Sequence, residues 1–190
     1  KGAELIVGMQ ESLDSGSEIL NEWPYEGVYR VRNPRSRKAI IPMGYRVGGT
    51  AICSIALLKT PAYRSSRAAQ AAVKRGRDFI VASLKDPLLS ASFKSTYDVR
   101  GWGHAYALQF LLEARESGKL GKKSAYDEHI RGLVAALEET EIPRSGGWNY
   151  SRRGGALRSS PPSTFMTAAT LQALFLASAS GFKVDPGVVD

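Results

Sequence analysis

The feature that most constrains this chain is a recurrence. Three stretches rich in small and apolar residues, at 50–58, 103–114 and 163–179, superimpose on one Ala-x5-Leu pattern. It pairs Ala51 and Leu57 with Ala105 and Leu111, and these with Ala168 and Leu174, at offsets of 54 and 63 residues. A helix that is apolar nearly all round has to be buried between neighbours. The first two such stretches are each followed by an amphipathic one. Residues 65–84 carry Val73, Gly76, Ile80 and Leu84 on one face, with Ser65 or Ser66 placed to cap it, and Tyr126, Ile130, Leu133 and Leu137 stripe the second. The third apolar stretch is stopped by Gly181, and Asp185-Pro186 then reads as the capped start of another amphipathic helix. Couplets of this kind cannot cover their own core faces, so they must stack on one another. All six Ala and Leu positions are therefore expected to be buried.

The rest of the chain is less regular. Ile6, Met9, Leu13 and Leu20 fall near a 3.6-residue period, which predicts a helix over 5–20 and an N-terminal unit of 1–22. Residues 23–47 hold prolines 24, 34 and 42 and five basic residues between Arg30 and Lys38, and read as a long basic loop with one short strand at 28–31. The helical-hairpin repeats occupy 48–190. With 190 residues and hydrophobic content of 43%, the expectation is a single all-α domain, and the apolar runs are too short to predict a membrane span. One cysteine, Cys53, excludes an intrachain disulfide framework and any multi-cysteine metal site. A single thiol leaves the compartment open between export, with a signal peptide removed, and the cytoplasm.

The segments Gly48-Gly49-Thr50-Ala51, Gly101-Trp102-Gly103-His104-Ala105 and Gly146-Gly147-Trp148-Asn149-Tyr150, the last followed by Ser163-Thr164, resemble repeats of the prenyltransferase and squalene cyclase superfamily. The resemblance covers 48–190. It implies a partial α/α toroid, with three inner helices lining a cavity and outer helices around them, and an apolar or isoprenoid-type ligand. The chain departs from the family where the chemistry would lie. It has no Asp-x-Asp-Asp motif, Ile142 stands where the Gln-x-x-x-Gly-x-Trp element has Gln, and no Asp lies two residues before Cys53 to complete a zinc set. The Gly-Cys-Gly-Glu-Gln stretch of thioester-containing toroids is missing too. The reading is a repeat module without the usual catalytic motifs, and neither metal nor cofactor is expected. One alternative is a non-catalytic module that docks a protein or an acidic glycan. A weaker one is a carbohydrate-active α/α toroid, which requires two carboxylates flanking a cleft, and no such pair stands out.

Individual candidates follow from chemistry. His104, at the head of a buried helix and a few residues after Asp98, is a weak catalytic candidate, with Asp98 as its orienting partner. Trp148, Tyr150, Arg152 and Arg153 form an aromatic and basic cluster on a Gly-rich loop, and Tyr45 belongs to a second cluster in the long loop; these are the candidate ligand-binding residues. Trp148 is expected to pack between repeats while the two arginines face solvent. His129, on the second amphipathic helix, is expected to point away from the cavity holding His104. The net charge of +8 favours an anionic partner, but the basic residues are scattered over several helices, so nucleic acid is not expected. An open repeat edge would be apolar and would suit a protein partner or a homodimer.

Overall fold

Helix α2 (Met43–Lys59) starts directly after Pro42 and ends at Thr60, whose extended backbone precedes Pro61. Its first turns carry Gly44, Gly48 and Gly49, and these determine its partner. Gly44 lies against the Val99 carbonyl and against Gly103, and Gly48 lies against the indole of Trp102, so the start of α2 touches the start of α4 (Arg100–Ser117) with almost no side chain between the two backbones. At the other end, Lys59 pairs with Glu113 at 2.6 Å. The two helices are therefore parallel. Helix α6 (Thr164–Ala179) continues the row on the far side of α4: Gly101 meets the Met166 side chain, and Gln109 donates to the Ala169 carbonyl at 3.2 Å. Three parallel helices thus stand side by side, and α4, in the middle, is buried apart from one half-buried stripe and its last turn. The computed structural model describes residues 1–14, 19–25, 31–32, 39–90, 99–149 and 161–189.

A second row flanks the first. Helix α3 (Arg67–Ser83), capped by the Ser66 hydroxyl, which accepts from the Ala69 amide, runs back along α2 and brings Gly76 against Thr50 and Ser54. Helix α5 (Asp127–Glu139) runs back along α4, burying Ile130, Leu133, Val134 and Leu137. Helix α7 (Pro186–Val189) follows α6, and Asp185 caps it by accepting from the Gly187 amide at 2.9 Å. The mostly helical, all-α architecture expected from the sequence is what is observed.

The N-terminal region differs from expectation. Helix α1 covers Gly2–Gly8, and residues beyond it form an antiparallel ribbon in which β1 (Glu11–Asp14) pairs with β2 (Ile19–Glu22), Glu11 opposite Glu22. Tertiary contacts override the helical period. Gln10 donates to the Ala72 carbonyl at 2.9 Å and accepts from Arg75, which fixes the chain to α3 just after the helix. Leu5, Met9 and Ile19, part of the apolar content of the expected helix, are exposed instead. The expected long loop also holds structure: β3 (Val31–Arg32) pairs with β4 (Ala39–Ile40), and α2 begins five residues inside it. Glu22, 5% exposed, receives both Arg46 Nε and Nη2 (2.8 and 2.6 Å), and the Arg46 guanidinium lies 5.4 Å from the Phe79 ring centre. Removing Arg46 alone would leave the buried Glu22 carboxylate uncompensated, at a cost of about 3–5 kcal/mol.

Five of the six repeat positions are fully buried: Ala51, Leu57, Ala105, Leu111 and Leu174. Ala168 is exposed. The periodicity puts it on the same helical face as Ala51 and Ala105, but burial also needs a neighbour. Gly48, which shares the Ala51 face, touches α4, and Gln109, which shares the Ala105 face, bonds α6. No described helix covers the matching side of α6.

The close approach of α2 and α4 makes a direct prediction. A methyl group on Gly44 would strike the Val99 carbonyl, backbone that cannot swing aside, so Gly44→Ala should destabilise by about 1–3 kcal/mol or more. Gly132, in the interior of α5, has open space around it, and Gly132→Ala should stabilise by about 0.4–1 kcal/mol. Urea denaturation of the two variants should move the midpoint in opposite directions.

Candidate functional site

The face of the three-helix row that α3 and α5 leave uncovered is read from residue spacing. In α4 it carries Trp102, Tyr106, Gln109 and Glu113 and in α6 Phe165, Ala169, Gln172 and Leu176, at i, i+4, i+7 and i+11, and in α2 Ile52, Ile55 and Lys59 at the last three of these positions, the first being Gly48, buried against the Trp102 indole. Positions 52, 106 and 169 repeat the offsets of 54 and 63 that align the sequence. Apart from Gly48, these residues are part-exposed or exposed, and Ile52, Phe165 and Leu176 are among the large apolar side chains that stay in solvent, Phe165 at 74%. Trp102 and Tyr106 form an edge-to-face pair with centroids 4.5 Å apart, and the Lys59–Glu113 bridge closes one end of the strip. Partial burial pushes the Tyr106 phenol above its ordinary range, so at neutral pH it stays protonated and able to donate a hydrogen bond. The surface is apolar, aromatic and edged by polar groups, and it can hold a hydrocarbon by area while fixing a polar end. The sequence signal for it was the repeat itself, read one helical face away from the buried one.

Of the residues expected to form a site, His104, Trp148 and Tyr45 are described, and each takes part in packing. On each helix of the row, in the middle of α2 and in the first turns of α4 and α6, a polar side chain ties down backbone that precedes the helix in sequence. Thr50 Oγ1 accepts from the Trp23 amide at 2.9 Å, and Thr167 Oγ1 accepts from the Trp148 amide at 3.1 Å. His104 stands at the equivalent position, 54 residues after Thr50 and 63 before Thr167, and its Nε2 lies 3.0 Å from the Leu89 carbonyl. A carbonyl can only accept, so Nε2 carries the proton in this contact. The histidine is 2% exposed and anchors a connection. Its expected partner, Asp98, lies outside the described residues.

His104 does reach one side of a cavity of about 410 Å3, together with Lys85, Glu128 and His129. His129 reaches it from α5, which flanks the row on the side away from the open face. The segment after α3 (84–90) and one face of α5, from Glu128 to Ala136, wall this space beside His104. Among the described residues there is no group of three or more His, Cys, Asp or Glu side chains placed to hold a metal ion. Cys53 is half-buried, and desolvation raises its thiol pKa, which keeps it protonated and weakly nucleophilic at neutral pH.

Trp148 is 2% exposed, and its Nε1 donates to the Leu137 carbonyl in the last turn of α5 at 2.9 Å. Trp23 repeats the arrangement: its Nε1 donates to the Ile6 carbonyl in the last turn of α1 at 2.7 Å. Each indole therefore pins the end of a flanking helix beneath the segment that leads back to the row. Gly147, with φ of +73°, lets that backbone pass where any Cβ would meet Thr167 and Pro162. Tyr45 is buried, its ring 5.6 Å from that of Tyr25. Tyr150, Arg152 and Arg153 lie outside the described residues.

No family model, curated protein or solved structure matches the chain.

Two measurements check these assignments. Trp148→Ala should cost about 3–5 kcal/mol, the range for emptying a large buried aromatic site, whereas Trp148→Phe should recover most of that and lose chiefly the indole hydrogen bond, worth about 1 kcal/mol. Alkylation of Cys53 by iodoacetamide at pH 7.5 should be slower than that of a free cysteine and should accelerate as the pH is raised through and beyond the ordinary thiol range.

Proposed function

We propose that this chain is a partial α/α toroid of the prenyltransferase and squalene cyclase type that binds an apolar, isoprenoid-type ligand on the open face of α2, α4 and α6. The observation that carries the reading is the in-register strip of Ile52, Ile55, Trp102, Tyr106, Phe165 and Leu176, apolar side chains left part-exposed or exposed on three adjacent parallel helices. Exposed apolar patches of this extent are uncommon on soluble proteins unless something covers them. The Gly- and Trp-containing repeat segments support the family reading. Binding, rather than a reaction, is the role these residues support, because the family's Asp-rich and zinc motifs are absent from the sequence.

One observation favours a second reading, docking of a protein or of another copy of the chain through the open repeat edge. Ala168 and Phe175, the latter 54% exposed, lie on the side of α6 that corresponds to the buried, neighbour-facing sides of α2 and α4.

Fluorescence separates the two. Of the three tryptophans, Trp23 and Trp148 are buried at 4% and 2%, so a ligand on the open face should alter the emission of Trp102. Titration with a C15 isoprenoid alcohol should give a saturable change that Ile52→Asp and Phe165→Asp weaken at least tenfold without altering the melting temperature. Unchanged emission at saturating alcohol, with self-association that Phe175→Asp abolishes, would replace the ligand-binding reading by the docking one.

A further inference from the structure

On the opposite side of the molecule from the apolar face, basic residues far apart in sequence converge. The turn Pro61–Arg64 after α2, the first three turns of α3, and the connection after α4 enclose a cleft of about 770 Å3. Arg64, Arg67, Lys74, Arg77 and Lys119 line it, and no lining residue is acidic. Arg67, Lys74 and Arg77 share one face of α3 at i, i+7 and i+10. Arg77 is already engaged, with Asp78 and with the Leu120 carbonyl at 2.8 Å. Among the described residues, Arg64, Arg67, Lys74 and Lys119 have no carboxylate within ion-pair distance.

Like charges held around one small space repel each other, and nothing in the packing requires them there, because Arg64, Arg67, Lys74 and Lys119 are exposed side chains. A ligand that relieves the repulsion must bring several negative charges in a compact form. The wall itself is prepared to hold position: Gln70 donates to the carbonyls of Tyr63 and Arg64, which fixes the turn that presents Arg64. Guanidinium groups pair with phosphate oxygens through two parallel hydrogen bonds, and a compact ammonium such as Lys74 adds a point charge. The cleft has no aromatic face to give to a base. Tyr63 is 4% exposed, and the Lys119 ammonium lies 5.1 Å from its ring centre. Recognition there is by charge density alone.

We infer that this cleft is a binding site for a compact oligophosphate, a small molecule carrying two or three linked or adjacent phosphate groups. The site is independent of the apolar face and of the ligand proposed for it.

Calorimetric titration of the whole chain with tripolyphosphate, pyrophosphate, sulfate and citrate at constant ionic strength tests it. Tripolyphosphate should bind one to one, and Arg67→Gln with Lys74→Gln should weaken it at least tenfold while circular dichroism and melting temperature stay unchanged. Arg131→Gln with Lys183→Gln removes the same charge from exposed positions outside the cleft and should alter affinity less than twofold. Equal weakening by the two double variants would reduce the effect to net charge and overturn the site. Citrate binding as tightly as tripolyphosphate would overturn the phosphate class, and absence of saturable binding by any of the four anions would overturn the proposal outright. Trp102→Ala should leave tripolyphosphate affinity as it is, so loss of the isoprenoid reading would not carry this one with it.

Discussion

The structure depends on how closely two helices can approach. Where Gly44 and Gly48 of α2 meet Val99, Trp102 and Gly103 of α4, backbone and indole occupy the space that side chains usually fill. This contact sets the spacing and parallel direction of the row, and parallel helices joined in sequence need a return path. That path is α3 between α2 and α4, and α5 between α4 and α6. The second row is thus a consequence of the first.

A repeated device secures each return. A side chain at an equivalent position of the row helix, Thr50, His104 or Thr167, bonds backbone that precedes the helix, and in two of the three cases an indole reaches across to the last turn of a flanking helix. The same geometric position accepts two residue types because what it requires is one polar atom at the right reach. A histidine there is chemically conspicuous in a sequence and structurally ordinary in the fold. Its link to Leu89 and its 2% exposure give it a structural part in holding that connection.

This explains which parts of the fold were legible. The helices and their caps at Ser66 and Asp185 were readable from period and composition, because local hydrogen bonds and a continuous buried face leave a local trace. The ribbon of residues 11–14 and 19–22 was not, since Gln10 and Arg75, 65 positions apart, hold the chain beside it in place. Ala168 has the sequence environment of a buried residue and lacks only the neighbour. The basic cleft was hidden for the converse reason: residues 64–77 and 119 look scattered along the chain, and only the return of α3 beside the connection after α4 gathers them. The strip on the open face was latent in the same repeat that revealed the core.

The middle position of α4 has a further consequence. It contacts α2, α5 and α6, whereas α6 rests mainly on α4 and leaves one flank uncovered among the described helices. In arrays built from nearest-neighbour contacts, stability is distributed by position, and terminal units open without dragging the centre with them. The amide hydrogens of α6 should therefore be reachable through a local fraying motion, while those in the middle of α4 report on the cooperative unfolding of the whole row. The exposed aromatic side chains Phe165 and Phe175 sit on α6, the helix of the row with fewer described neighbours.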